Sequence, residues 1–191
     1  LPKLRPDSTY TFQFMSQFTD TSGVFVSVDP DNKLKEQSKA NNTAFRRFVL
    51  LPDITVQTLS NSFSGAPRIG QAGTIATVLK NSGSKNAQNI LLRFSRSKVD
   101  SIQSSTVFKD TVLSNMNFDN LYWVSLPYVV NQTGPTFLFL NIDPLGSIAE
   151  NSKSNNTGVS SFQVLPDLRI DSVWYDEDAH RLSAIIRNVG G

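Results

Sequence analysis

One segment that occurs twice constrains this chain more than any other feature. It reads VDPDNKLKEQSKANNT at Val28–Thr43 and IDPLGSIAENSKSNNT at Ile142–Thr157. Asp29 aligns with Asp143, Glu36 with Glu150, and Asn41 and Asn42 with Asn155 and Asn156; Phe48, Pro52 and Asp53 align with Phe162, Pro166 and Asp167. Every pair is 114 residues apart, without a gap. That period is about the size of one β-sandwich domain, so the expected organisation is a tandem array of sandwiches. Residues 1–51 are then the C-terminal part of one repeat, 52–165 a complete repeat and 166–191 the N-terminal part of a third. Opening on Leu1 and stopping at Gly191 in mid-pattern, the chain is expected to be a piece of a longer polypeptide.

Composition agrees with an all-β chain. Hydrophobic residues make up 39% and can supply a core, while charged residues are only 18% and Ser, Thr and Asn are abundant. The net charge of +2, with Lys and Arg scattered, excludes the basic patch that nucleic acid or an anionic membrane would need. There is no cysteine, hence no disulfide, thiolate metal site or cysteine nucleophile. The apolar run Phe137–Ile142 is far shorter than a membrane span.

Alternation predicts the strands. Thr9–Met15 places Tyr10, Phe12 and Phe14 on one face, Asp20–Gly23 reads as a turn, and the next strand runs to Val28. The same layout recurs as LYWVSLPYVV, NQTGP and TFLFLNI. Each repeat then carries Asp-Pro, a turn initiator, an apolar anchor (Leu34 or Ile148), a Glu two residues later, and Asn-Asn, suited to left-handed backbone. Between Pro52 and Leu165 about seven short strands are expected, the number of an immunoglobulin-like sandwich. The third copy starts alike with PDLRIDSVWY, a turn at Asp176–Asp178 and LSAIIRNVGG. A shorter connection accounts for Asn188 following Asp167 more closely than Asn81 follows Asp53. No Gly/Ser linker separates the repeats, so restricted junctions are expected.

A strand opening Pro-Asp-Leu/Ile, a G-x-x-x-V-x-N-x-G-like segment at Gly73–Gly83, and a closing hydrophobic-Asp-Pro…Glu…Asn-Asn…Phe-x-Val together resemble the CARDB family. The resemblance covers the complete repeat and both partial ones, and departs from the pattern at Leu145 and Gly146, where the first copy has Asp31 and Asn32. It implies immunoglobulin-type sandwiches in tandem, of the kind found in bacterial and archaeal surface and secreted proteins, with a name that refers to cell adhesion.

Several residues carry possible chemistry. Asp29, Asp31, Asn32 and Glu36 are oxygen ligands of the type calcium takes. The second copy keeps only Asp143 and Glu150 of these four, and the spacing fails the EF-hand pattern. The competing reading is a loop in which Asp and Glu accept backbone N–H bonds. His180 is the only histidine and lies on the acidic turn Asp176, Glu177, Asp178, which also holds the only paired carboxylates; neither a Ser-His-Asp triad nor glycoside chemistry is expected there. Tyr122-Trp123 and Trp174-Tyr175 each put one aromatic outward, as a sugar platform or as ordinary sheet surface.

Asn41-Asn42-Thr43, Asn131-Gln132-Thr133 and Asn155-Asn156-Thr157 match the N-glycosylation acceptor, and two of them coincide with the repeated segment. Asp7-Ser8-Thr9, Asp100-Ser101-Ile102, Asp110-Thr111-Val112 and Asp171-Ser172-Val173 resemble the Asp-Ser/Thr-apolar O-glycosylation signal of Bacteroidota. The expected function is non-catalytic: an extracellular, semi-rigid stalk or spacer whose partners are neighbouring repeats, with no cofactor. The alternative is a glycan- or protein-binding module, which a saturable ligand would reveal.

Overall fold

The computed structural model describes residues 4–18 and 22–190 and divides into two compact units, Leu1–Leu50 and Leu51–Gly191. The second unit holds a complete sandwich of seven strands, β3 (Ile54–Asn61), β4 (Ala72–Asn81), β5 (Ala87–Ser97), β6 (Thr106–Met116), β7 (Leu121–Val129), β8 (Gly134–Ile142) and β9 (Thr157–Val164). One sheet has the order β3-β4-β7 and the other β6-β5-β8-β9, all antiparallel. Period-2 alternation decides what each strand buries. β4 turns Ile75, Thr77, Leu79 and Asn81 inward, β5 turns in Ile90, Leu92 and Phe94, and β8 turns in Leu138, Leu140 and Ile142; all are buried between the sheets.

Asn81 is the polar member of that core. Its Oδ1 accepts the N–H of Asp53 and of Gly83, both at 3.1 Å, and its Nδ2 donates to the carbonyls of Lys85 (2.8 Å) and Met116 (3.3 Å). A buried amide with all these partners stabilises the sheet ends it joins. Gly83 is required beside it, because a Cβ there would sit 2.4 Å from the carbonyl oxygen of Leu51.

The first unit carries β1 (Ser22–Ser27) and β2 (Thr43–Phe48). They pair from Ser22 with Phe48 to Ser27 with Thr43, and β8–β9 pairs Thr136 with Phe162 through Asn141 with Thr157. The register is the same, residue for residue, 114 positions later. The strand expected at Thr9–Met15 is not formed: residues 8–18 lie in no strand, and Tyr10, Phe12 and Phe14 are exposed, with the Phe12 and Phe14 rings stacked at 6.3 Å. The counterpart of this segment, β7, pairs with β4 alone. No counterpart of β4 occurs among the described residues of the first unit, and a strand without a partner leaves its backbone groups unpaired. Of the turn expected at Asp20–Gly23, Asp20 and Thr21 lie outside the described residues, while Ser22 and Gly23 already belong to β1.

β10 (Leu168–Asp176) and β11 (Arg181–Asn188) repeat β3 and β4. Leu168 faces Asn188 as Ile54 faces Asn81, Ile170 faces Ile186 as Val56 faces Leu79, and both ladders shift register at the next residue. The Asn amide recurs too, since Asn188 Oδ1 accepts the N–H of Asp167 (3.0 Å) and Gly190 (3.1 Å). The connection is shorter, a turn at residues 177–180 in place of residues 62–71.

Candidate functional site

The repeated segment forms the corner between β8 and β9. Asp143 takes a left-handed backbone (φ 46), which Asp tolerates better than most residues. Its carboxylate then points back into its own loop. Oδ1 accepts the N–H (2.9 Å) and hydroxyl (2.6 Å) of Ser147, and Oδ2 accepts the N–H of Ile148 (2.9 Å) and the ammonium of Lys153 (2.8 Å). Glu150 reaches outward from the loop to the rest of the sandwich. Its Oε2 accepts the N–H of Ile54 at the start of β3, and its Oε1 accepts Asn156 Nδ2, both at 2.8 Å. Asn155 completes the joint, donating from Nδ2 to Asp53 Oδ1 (2.9 Å) and Thr55 Oγ1 (3.0 Å) and accepting the Val56 N–H on its carbonyl (3.1 Å). The corner thus fastens the last hairpin of the sandwich to its first strand.

The Val28–Thr43 copy builds the same loop. Asp29 is left-handed (φ 51), its Oδ1 accepts the N–H of Lys33 (2.8 Å) and its Oδ2 that of Leu34 (3.1 Å), and Lys39 bonds it as well. Lys39 also donates to Glu36 Oε1 (2.7 Å), which accepts Asn42 Nδ2 (3.1 Å). The left-handed positions are not the Asn-Asn pair expected from sequence, however. They are Asp29 with Asn32 (φ 55) and Asp143 with Gly146 (φ 67). The exchange of Asn32 for Gly146 therefore conserves a backbone conformation.

Electrostatics hold these carboxylates ionised. Burial is the largest effect on Asp143 and opposes ionisation. The Lys153 ammonium, the Ser147 hydroxyl and the Ile148 and Ser147 amides together outweigh it and lower its pKa from 3.8 to about 2. Asp29 and Glu36 are lowered chiefly by the hydrogen bond from Lys39, whose own pKa is raised by the same two partners, Asp29 first.

The four calcium candidates are not brought to one point. Asp29 and Glu36 converge on Lys39; Asp31 makes an exposed ion pair with Lys33 (2.9 Å); Asn32 serves as a turn residue. An ammonium stands where a cation would sit between the two carboxylates, and among the described residues no group of three or more His, Cys, Asp or Glu gathers to hold a metal. Lys39 and Lys153 are not among the candidate residues expected from sequence, although the shared Ser-Lys two residues before each Asn-Asn carries the signal.

The remaining candidates are dispersed. His180, left-handed at φ 49, meets the Tyr175 hydroxyl at 3.2 Å on the exposed turn, where Asp176 accepts the Ala179 N–H. Tyr122 faces inward, its hydroxyl accepting the Asn117 N–H (2.8 Å), and Trp123 faces outward at 72% exposure; Trp174 and Tyr175 are both exposed. Of the acceptor asparagines, Asn41 and Asn131 are exposed, whereas the amide of Asn155 is occupied by Asp53 and Thr55. Ser8 and Ser101 are tied to Arg5 and Gln103, Thr111 is half-buried on β6, and Ser172 is exposed on β10. No helix among the described residues is long and apolar enough to cross a membrane.

No curated protein matches the chain. Among solved structures, a Pyrococcus furiosus CARDB domain in complex with di-metal ions is similar at 14% identity, covering 60% of this chain and 90% of that one with a TM-score of 0.50. A domain of a cell-surface protein from Methanosarcina acetivorans is similar at 18% identity, covering 60% and 93%, with a TM-score of 0.48. The first likeness shows a shared sandwich fold. The CARDB family model itself matches residues 51–160, the whole span from the Pro52 junction through the Asp143–Asn156 corner into β9. By that match and that fold, the chain belongs to the CARDB family.

Proposed function

We propose that this chain is a non-catalytic spacer of a cell-surface or secreted protein, in which CARDB sandwiches follow one another as a semi-rigid stalk. The observation that supports this most is the duplication of the Asp-Glu-Lys-Asn corner with an unchanged register 114 residues apart. Groups that repeat, and whose hydrogen bonds close on the chain itself, serve stability, which sums over neighbouring copies in repeat architectures. The Pro166–Asp167 junction fits the same role. Asp167 accepts the Val189 N–H on its carbonyl (2.7 Å), and its carboxylate pairs with Arg68 (3.3 Å), so the junction is braced on both sides. The surface location follows the occurrence in surface and secreted proteins implied by the family resemblance.

The test is scattering from chains with one, two and three repeats, together with glycan and protein arrays. A spacer gives a maximum dimension that grows by a constant step per repeat and no saturable ligand. The exposed Trp123 favours the second reading, a module that stacks a sugar ring on its three-stranded sheet. Saturable glycan binding lost in Trp123→Ala would establish that reading and displace the spacer.

A further inference from the structure

We propose that the first and last strands of the complete sandwich form a mechanical clamp, with β3 and β9 held against sliding so that the domain bears tension applied along the chain. The use of such a clamp rests on the spacer reading, in which tension enters at one junction and leaves at the next. The clamp itself is a property of the one sandwich.

β3 and β9 belong to different sheets, yet they pack side by side and run in the same direction. Their cross-links advance together along both strands. Asn155 Nδ2 donates to Asp53 Oδ1 (2.9 Å) and Thr55 Oγ1 (3.0 Å), and the Val56 N–H donates to the Asn155 carbonyl (3.1 Å). Farther along, Asn61 Nδ2 donates to Ser160 Oγ (2.7 Å) and to the Ser161 carbonyl (3.2 Å). The corner adds two more, from the Ile54 N–H to Glu150 Oε2 (2.8 Å) and from the Asn151 N–H to the Pro52 carbonyl (3.0 Å). Gly158 lets the strands come this close, since a Cβ there would lie 2.6 Å from Val56 Cγ1.

Two strands that run the same way at the two ends of a domain decide how it meets a pull. The chain enters at Asp53, beside Asn155 at the start of β9. It leaves after Val164, just past Phe162, whose ring packs 4.8 Å from that of Phe63 beyond the end of β3. Tension therefore draws β3 backward and β9 forward along one axis, and the two are sheared past each other. The bonds from Asp53 to Asn61 are loaded together, and none can lengthen until the others do. Had the last strand run the opposite way, the same bonds would open one after another.

None of these bonds belongs to the ladders within the two sheets, where β3 pairs with β4 and β9 with β8. They serve only the joint between first strand and last. Resistance to a pull follows the rate of unfolding along its direction and not equilibrium stability alone. A set of bonds modest one by one can thus make a strong joint when the direction of load engages all of them at once.

The test is single-molecule pulling of the 191-residue chain, whose lack of cysteine lets handles be placed at chosen positions. Val49→Cys with Leu165→Cys, both exposed, flanks this sandwich and pulls in shear. Val49→Cys with the exposed Ser154→Cys pulls on the starts of β3 and β9 from one end and peels them apart. At one pulling speed the rupture force should be several-fold higher for the first pair. Asn155→Ala and Ser160→Ala should each lower the force for the first pair and leave the second nearly unchanged. Should Asn155→Ala fail to fold in a thermal melt, Ser160→Ala, which removes a single hydroxyl, carries the comparison. Equal forces for the two pairs overturn the proposal. So does a shear force that neither variant lowers, or a variant that lowers both forces alike, the signature of lost stability without a clamp. A chain that ruptures at low force in shear, yet lengthens by a constant step per repeat in scattering, overturns the clamp and leaves the spacer reading standing.

Discussion

Lys153 Nζ lies 2.8 Å from Asp143 Oδ2, with the carboxylate side chain fully buried and the lysine stem still partly in solvent. Lys39 makes the same bond to Asp29 in the Val28–Thr43 copy of the segment. The pairing binds two ends of one loop, and Glu150, 3.9 Å from the same ammonium, carries the connection on to β3.

Removing the ammonium should therefore loosen the corner without unfolding it. Lys153→Met leaves Asp143 with one hydroxyl and two amides, and the partial exposure of the lysine keeps the loss to about 1–2 kcal/mol. Urea unfolding monitored by tryptophan fluorescence checks this. Glu150→Ala should cost more, about 2–3 kcal/mol, because it leaves the Ile54 N–H without an acceptor inside the fold and the Asn156 amide with only the Ile142 carbonyl at 3.5 Å.

Acid should act through Asp143. Its folded pKa of about 2 lies below the ordinary 3.8, so the stability it contributes is complete above pH 4 and is lost as pH falls towards 2. A lowering of nearly two units corresponds to about 2 kcal/mol. Denaturant titrations at pH 5 and pH 2.5 should show this decline in the native chain and a smaller one in Asp143→Asn, which has no carboxylate to protonate.

Asn81 and Gly83 should be intolerant of substitution. Asn81→Ala strands the N–H groups of Asp53 and Gly83 and two carbonyls, at a cost of about 3 kcal/mol. Gly83→Ala forces a methyl against the Leu51 carbonyl and should be at least as damaging. Thermal melts of both variants against the native chain measure the difference.

Added calcium should leave the melting temperature of the native chain unchanged, because Lys39 and Lys153 already neutralise the carboxylate pairs. A rise of several degrees at millimolar calcium would show that the ammonium is displaced.

Trp123→Ala should change stability by less than about 0.5 kcal/mol, since the ring is 72% exposed and outside the core. The neutral result matters for the glycan arrays, where any loss of signal in this variant then reports binding and not unfolding.

The architecture was legible wherever local pattern and tertiary partner agree. Alternation in β4, β5 and β8 is period 2 because both sheets bury one face, and Asp-Pro with Asn-Asn marks a corner because those residues satisfy amides locally. Thr9–Met15 shows the limit. Its alternation matches that of β7, yet no strand forms, since strands are stabilised by a ladder and its partner is missing among the described residues. The roles within the corner were likewise hidden. Sequence spacing made Asp29, Asp31, Asn32 and Glu36 look like one ligand set, but the loop sends Asp31 to the surface and folds Lys39 back between the other two carboxylates.

The order of residues alone therefore determined the duplicated segment, the all-β class and the family, because those reside in periodicity and in turn chemistry between near neighbours. Tertiary structure decided which oxygen meets which donor. Glu150 bonds Ile54 across 96 positions of chain, and Asn155 bonds Asp53 across 102. Such pairings depend on how the closing hairpin lies against the first strand, and no local propensity encodes that distance.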